Sequence, residues 1–218
     1  MWRKNGYQIS VKVVLLGESG VGKTSIISQY ISNKFNPKCP TSVSAQFISK
    51  TKEFKKYSKF IKFDIWDTVG QERYRSLAKI FYKDARIIIF VYDITNEFSF
   101  TSIKDFWYKE TSENTENDTI YALVGNKVDL YQDAQVKTSE GEEYADEIGA
   151  IFQNTSALNN SGIDKLFENL GEKIFNPEFD YKNPEKEIKN NNINKKNKKY
   201  NIKLTNDNKD NNTSKKCC

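Results

Sequence analysis

A chain of 218 residues and 25.3 kDa has room for one medium domain and a tail, not two full domains. Its net charge of +5 belongs wholly to residues 176–218, where 11 Lys stand against 6 acidic side chains; the first 175 residues carry 23 of each sign. Histidine is absent, which excludes imidazole bases, His-based triads and His-bearing metal sites, and three cysteines (Cys39, Cys217, Cys218) exclude a disulfide framework or a four-thiolate zinc site.

Residues 1–8 read as an N-terminal extension. Gly is not the second residue and Val13–Leu16 is too brief for a signal-peptide core, so cytosolic synthesis without N-myristoylation is expected. Val11–Leu16 reads as a buried strand, followed by a Gly-rich turn and a helical pattern over Thr24–Ser32. Gln46–Phe54 and Phe60–Trp66 read as a hairpin across Lys55–Lys59. Three further buried strands are expected at Ile87–Tyr92, Thr119–Val124 and Ala150–Asn154, the first being the longest apolar run and far too short to cross a bilayer. Helical spacing covers Glu72–Tyr82, Ser99–Glu113, Thr138–Ile148 and Ile163–Phe175. Strand alternating with helix predicts an α/β fold: a six-stranded, mostly parallel sheet with helices on both faces. Ligands of such folds bind beyond the carboxyl ends of the strands. Residues 176–218, with 12 Asn and little apolar content, are expected to form a disordered Lys/Asn-rich tail.

Gly17-Glu18-Ser19-Gly20-Val21-Gly22-Lys23-Thr24 matches G-x-x-x-x-G-K-[ST] directly after a strand and opens a helix, as a P-loop NTPase requires. Its glycines let successive N–H groups curl toward phosphate oxygens, and the following helix adds its positive end. Lys23 supplies a point charge for the β- and γ-phosphates, and the Thr24 hydroxyl a ligand for Mg²⁺, with Ser25 next along the helix.

Three more motifs fall at strand ends: Trp66-Asp67-Thr68-Val69-Gly70-Gln71-Glu72, Gly125-Asn126-Lys127-Val128-Asp129-Leu130 and Thr155-Ser156-Ala157. In this order they resemble the Ras superfamily of small GTPases over residues 9–175. The run from Trp66 through Leu77 and the final Cys217-Cys218 are similar to its Rab branch. The resemblance implies a switch that binds GTP and GDP, hydrolyses GTP slowly without an activating protein, and recruits effectors in vesicle traffic. It implies that Asp129 accepts the guanine N1–H and 2-amino group, that Asn126 holds the base edge, and that the Lys127 stem covers the ring. The Ser156-Ala157 backbone would meet the guanine oxygen, and Phe35 would pack on the opposite face. Asp67 would reach Mg²⁺ through water, Gly70 would approach the γ-phosphate, and Gln71 would orient the attacking water as the catalytic residue. Phe47, Trp66 and Phe81 stand where Rab proteins build a partner-facing cluster, although core packing explains two of the three equally well.

Departures from the pattern are Ser42 in place of the Mg²⁺-binding Thr of the first switch (with Thr41 beside it as the other candidate), Ser44 and Val69 in place of Gly and Ala, and Leu158 in place of Lys. Ser42, Ser44 and Val69 motivate an alternative, a GTP-binding membrane scaffold with very low hydrolysis. A P-loop kinase lacks a second-substrate site and a lid here. Lys215-Lys216-Cys217-Cys218 resembles the Rab signal for two geranylgeranyl groups, and two lipids anchor where one does not. The resemblance implies an exchange factor, an activating protein, effectors, and prenylation and extraction chaperones as partners. It implies a monomer tethered to the cytoplasmic face of an endosomal, vesicle or Golgi membrane, with a cytosolic pool. The tail's Asn-diluted lysines, without Arg or an aromatic ladder, argue against a nucleic acid polymer. Cys39 reads as an ordinary loop residue.

Overall fold

A computed structural model describes residues 7–37, 45–68 and 78–184. Among them, six strands form one sheet in the order β2-β3-β1-β4-β5-β6: β1 Tyr7–Leu16, β2 Gln46–Phe54, β3 Lys59–Asp67, β4 Ile87–Asp93, β5 Ile120–Asn126 and β6 Ile151–Thr155. Within this sheet, among the described residues, the β2–β3 pair is antiparallel and the other four pairings are parallel. β4 lies inside the sheet with all seven residues buried, which explains its unbroken apolar run. β2, on the sheet edge, instead alternates between exposed and half-buried positions before Phe54.

β1 begins four residues before the expected Val11, because Tyr7–Ser10 pair with Lys59–Lys62 of the long strand beside them. β5 runs on through Gly125 and Asn126, which pair with Tyr92 and Asp93. The absent side chain at Gly125 leaves space that the Tyr92 hydroxyl and Asn154 amide take up.

α1 (Lys23–Ser32) and α6 (Ile163–Phe175) pack together, with the Tyr30 and Phe167 rings stacked 3.6 Å apart. On the opposite face, α3 (Glu97–Ser102) continues through a π-helical segment, Ile103–Trp107, into α4 (Tyr108–Ser112). This run meets α5 (Thr138–Glu147) through Phe100–Tyr144 and Tyr108–Tyr144 ring contacts. The short α2 (Ala78–Tyr82) is held to α4 by the Tyr82 hydroxyl, which donates to Glu110 at 2.7 Å. The earlier part of the helix expected from Glu72 lies outside the described residues. The chain divides into two units after Pro177. In the second, the Asp180 carboxylate accepts the backbone N–H groups of Lys182 and Asn183 in a local turn, and the tail from Glu185 lies outside the described residues.

Gly171, inside α6, marks where that helix presses on β2. A Cβ there would drive into the Phe54 ring, itself buried and in edge contact with Phe63 and Phe175. Helix propensity alone predicts that Gly171→Ala stabilises by about 1 kcal/mol. Overpacking reverses the sign, and a loss of about 1–3 kcal/mol is expected, read as a lowered thermal midpoint. A raised midpoint would show that Phe54 yields freely.

Candidate functional site: a cleft at the carboxyl ends of the strands

Because β1, β3, β4, β5 and β6 run parallel, their carboxyl ends share one edge, and the four motifs gather there. β1 hands over to the loop 17–22. Gly17 (φ 142°) and Gly22 (φ 98°) have left-handed backbone, and a Cβ at either would collide, with the Val91 carbonyl or the Asn126 side chain respectively. α1 starts at Lys23 with no side-chain cap and no acidic residue in its first turn, so its N-terminal amides and partial positive charge face the loop.

Lys23 is 6% exposed and its ammonium donates to the carbonyl oxygens of Gly17 and Glu18, both at 2.8 Å. Burial pushes its pKa down to about 8, against the opposing pull of the Asp67 and Glu18 carboxylates. At the end of β3 the buried Asp67 accepts the Thr24 hydroxyl at 2.5 Å, while the Thr68 hydroxyl bonds the Leu15 carbonyl at 2.6 Å. A hydroxyl and a carboxylate side by side are hard oxygen donors, a set that suits Mg²⁺. Among the described residues no group of three or more Cys, Asp or Glu could hold a metal by itself.

The other half of the cleft is built from the ends of β5 and β6. Asn126, 1% exposed, donates its amide to the Val21 carbonyl at 2.8 Å and accepts the Thr155 hydroxyl at 3.1 Å, tying this half to the phosphate loop. Lys127 has left-handed backbone (φ 67°), and its ammonium pairs with Asp93 at 2.6 Å. Asp129 accepts the hydroxyl of the fully buried Ser156. The cleft between the halves measures about 450 Å³, and Gly22, Ser25, Phe35, Asn126, Asp129 and Ala157 are among the residues that line it.

The structure thus gathers Gly17 to Ser25, Phe35, Asp67, Asn126, Lys127, Asp129, Ser156 and Ala157 along one edge. Ser42, Gly70, Gln71, Cys217 and Cys218 lie outside the described residues, as do Cys39, Thr41, Ser44 and Val69. Three residues escaped sequence reasoning. Asp93 closes β4 and anchors Lys127, and it could have been noticed as a strand-end carboxylate left without a role. Leu130 and Pro37 add apolar wall beside Leu158. Away from the cleft, Phe47, Trp66 and Phe81 do form one run of ring contacts, at 5.2 and 6.3 Å between centroids. Phe47 is half exposed.

A parallel sheet with an uncapped helix behind a glycine loop, a buried Lys and a Thr–Asp oxygen pair defines a P-loop nucleotide-binding protein. Residues 12–176 match the Ras family. Rab-21 of Bos taurus is 44% identical over 169 residues, 78% of this chain and 75% of that protein. Rab-22A of Homo sapiens is 40% identical over 164 residues, 75% and 83% of the two chains. RabJ of Dictyostelium discoideum is 40% identical over 163 residues, 75% and 62%. The chain belongs to the Ras family, on its Rab branch. It is a Rab-like small GTPase, a GTP/GDP-cycling switch that hydrolyses GTP to GDP and phosphate and recruits effectors in vesicle trafficking. The scaffold alternative is not favoured. Ras-family GTPases use Mg²⁺ with their nucleotide, and Rab proteins work through regulators and effectors in intracellular membrane traffic. Among the described residues no helix is long and apolar enough to cross a membrane.

Proposed function

We propose that the cleft holds a guanine nucleotide with its base against Asp129 and its phosphates in the loop 17–25. The observation that carries this reading is the pairing of two unlike ends in one cleft. At one end is a carboxylate steadied by a buried hydroxyl; at the other are a cationic Lys and a helix terminus. Guanine offers two adjacent donors that a carboxylate can accept, and adenine does not. Calorimetry on nucleotide-free protein tests the reading: GDP should bind at least about hundredfold more tightly than ADP, the scale of one unsatisfied buried acceptor and its lost partner. Equal affinities for the two diphosphates would defeat it.

In this reading Asn126, Lys127, Ser156, Ala157 and Phe35 frame the base, and Thr24, Asp67 and Ser42 hold Mg²⁺, which supplies charge neutralisation to the β- and γ-phosphates when bound. Gly70 senses the γ-phosphate and Gln71 orients the attacking water. No cation in the motifs acts as a finger in cis, so hydrolysis is slow until an activating protein engages, and an exchange factor reloads the site.

The chain is organised as a short extension (1–8), a GTPase domain (9–175) and a tail (176–218) bearing prenyl groups on Cys217 and Cys218. The lipids hold a monomer on the cytoplasmic face of an endosomal, vesicle or Golgi membrane, with chaperones for prenylation and extraction maintaining a cytosolic pool. The support is the Lys-Lys-Cys-Cys sequence together with the Rab relatives. Replacing both cysteines by Ser should move a tagged protein wholly into the soluble fraction of its own cells; retention on membranes would reject lipid anchoring.

A further inference from the structure

Glu18 is the second residue of the phosphate loop, where the motif's spacing asks for no particular side chain. It is nonetheless only 7% exposed. One of its carboxylate oxygens, Oε1, receives two hydrogen bonds from a distant part of the chain. The Ser102 hydroxyl, at the end of α3, donates to it, and so does the Trp107 indole N–H, 3.3 Å away at the end of the π-helical segment. Taking a carboxylate out of water is costly unless hydrogen bonds and nearby positive charge replace the solvent. Both are present: two converging donors, and the Lys23 ammonium bonded to the Glu18 carbonyl.

The π segment accounts for the convergence. In a regular α-helix, residues five apart point about 140° away from each other. A π turn closes its hydrogen bonds from i to i+5, here Tyr108 N–H to the Ile103 carbonyl, and brings such residues close to one side. Ser102 and Trp107 are five apart, so the bulge lets both face one oxygen.

We infer that Glu18 is a positioning residue for the nucleotide phosphates. Clamped by Ser102 and Trp107, its carboxylate holds the first turn of the phosphate loop, and with it the Gly17 and Glu18 carbonyls that orient Lys23. The inference rests on the guanine-nucleotide reading above, and it adds that a helix outside the nucleotide cleft sets how long the diphosphate stays.

Release of N-methylanthraniloyl-GDP from the full chain, chased with unlabelled GDP, tests it. Glu18→Ala should release the probe about tenfold faster, the scale of losing a hydrogen bond to a charged group. Glu18→Gln keeps an oxygen that accepts both donors and should stay within about threefold of native. Ser102→Ala should be several-fold faster than native, and adding it to Glu18→Ala should change nothing further, because the two changes remove the same bond. The ratios should survive chelation of Mg²⁺, since the clamp acts on the loop and not on the metal. Should Glu18→Ala fail to fold, Ser102→Ala and Glu18→Gln decide alone. Native release rates from Glu18→Ala or from Ser102→Ala overturn the clamp, as does an additive double variant or a Gln variant as fast as Ala. A native chain that takes up no guanine nucleotide overturns the underlying reading and the clamp with it, and the native control reports that outcome separately.

Discussion

Asp129→Asn should cost the protein its guanine nucleotide and open it to a xanthine nucleotide. The carboxylate offers acceptors to two donors of guanine, and hydrogen bonds to a charged group contribute about 1.5–3 kcal/mol each. Removing the charge and turning one acceptor into a donor therefore weakens GDP binding by roughly 10²–10⁴-fold. The Ser156 hydroxyl donates to Oδ1 of Asp129. In the variant it would hold the substituted amide with its oxygen toward Ser156 and its NH₂ toward the cleft. That NH₂ opposes the 2-amino group of guanine and matches the 2-oxo group of xanthine. Calorimetry with GDP and XDP should therefore show the preference inverted in the variant. A variant that keeps native GDP affinity would remove Asp129 from the site.

Gln71→Leu should separate binding from chemistry. Leu fills a similar volume but can neither donate to nor accept from a water molecule. Single-turnover hydrolysis of preloaded GTP should fall by about 100-fold, the lower end of the range expected when a group that orients or activates a nucleophile is lost. Affinities for GTP and GDP should stay within about twofold, because the phosphate grip belongs to Lys23, the loop amides and the α1 terminus. Hydrolysis at the native rate would mean that another group orients the water. The measurement also addresses the first-switch departures: if Ser42 and Ser44 had silenced hydrolysis, the native protein would show no rate for the substitution to lower.

The sequence exposed local features better than distant ones. α6 spans Ile163–Phe175, as its spacing predicted, because one amphipathic face must cover the sheet. The strand ends shifted where the ladder, not the residue type, decides the boundary. Gly125 and Asn126 look like turn residues yet complete β5, since Tyr92 and Asp93 supply partners. The phosphate loop and the base motif were legible because each is contiguous and its chemistry dictates residue type. The Glu18–Trp107 and Asp93–Lys127 contacts were not, because they join residues 89 and 34 positions apart and depend on helix geometry and strand register. The π segment left no signature at all: Ile103–Trp107 reads as ordinary helix, and only the backbone reveals the extra residue in the turn.

The segment from Val69 to Leu77 joins two anchored points. Before it, Thr68 is fastened to the Leu15 carbonyl beneath the sheet edge; after it, Tyr82 is fastened to Glu110 of α4. Thr68 and Tyr82 thus act like two cleats: other elements already hold the chain where it leaves β3 and where it completes α2. Closing a span whose ends are already fixed forfeits far less chain entropy than ordering one that dangles.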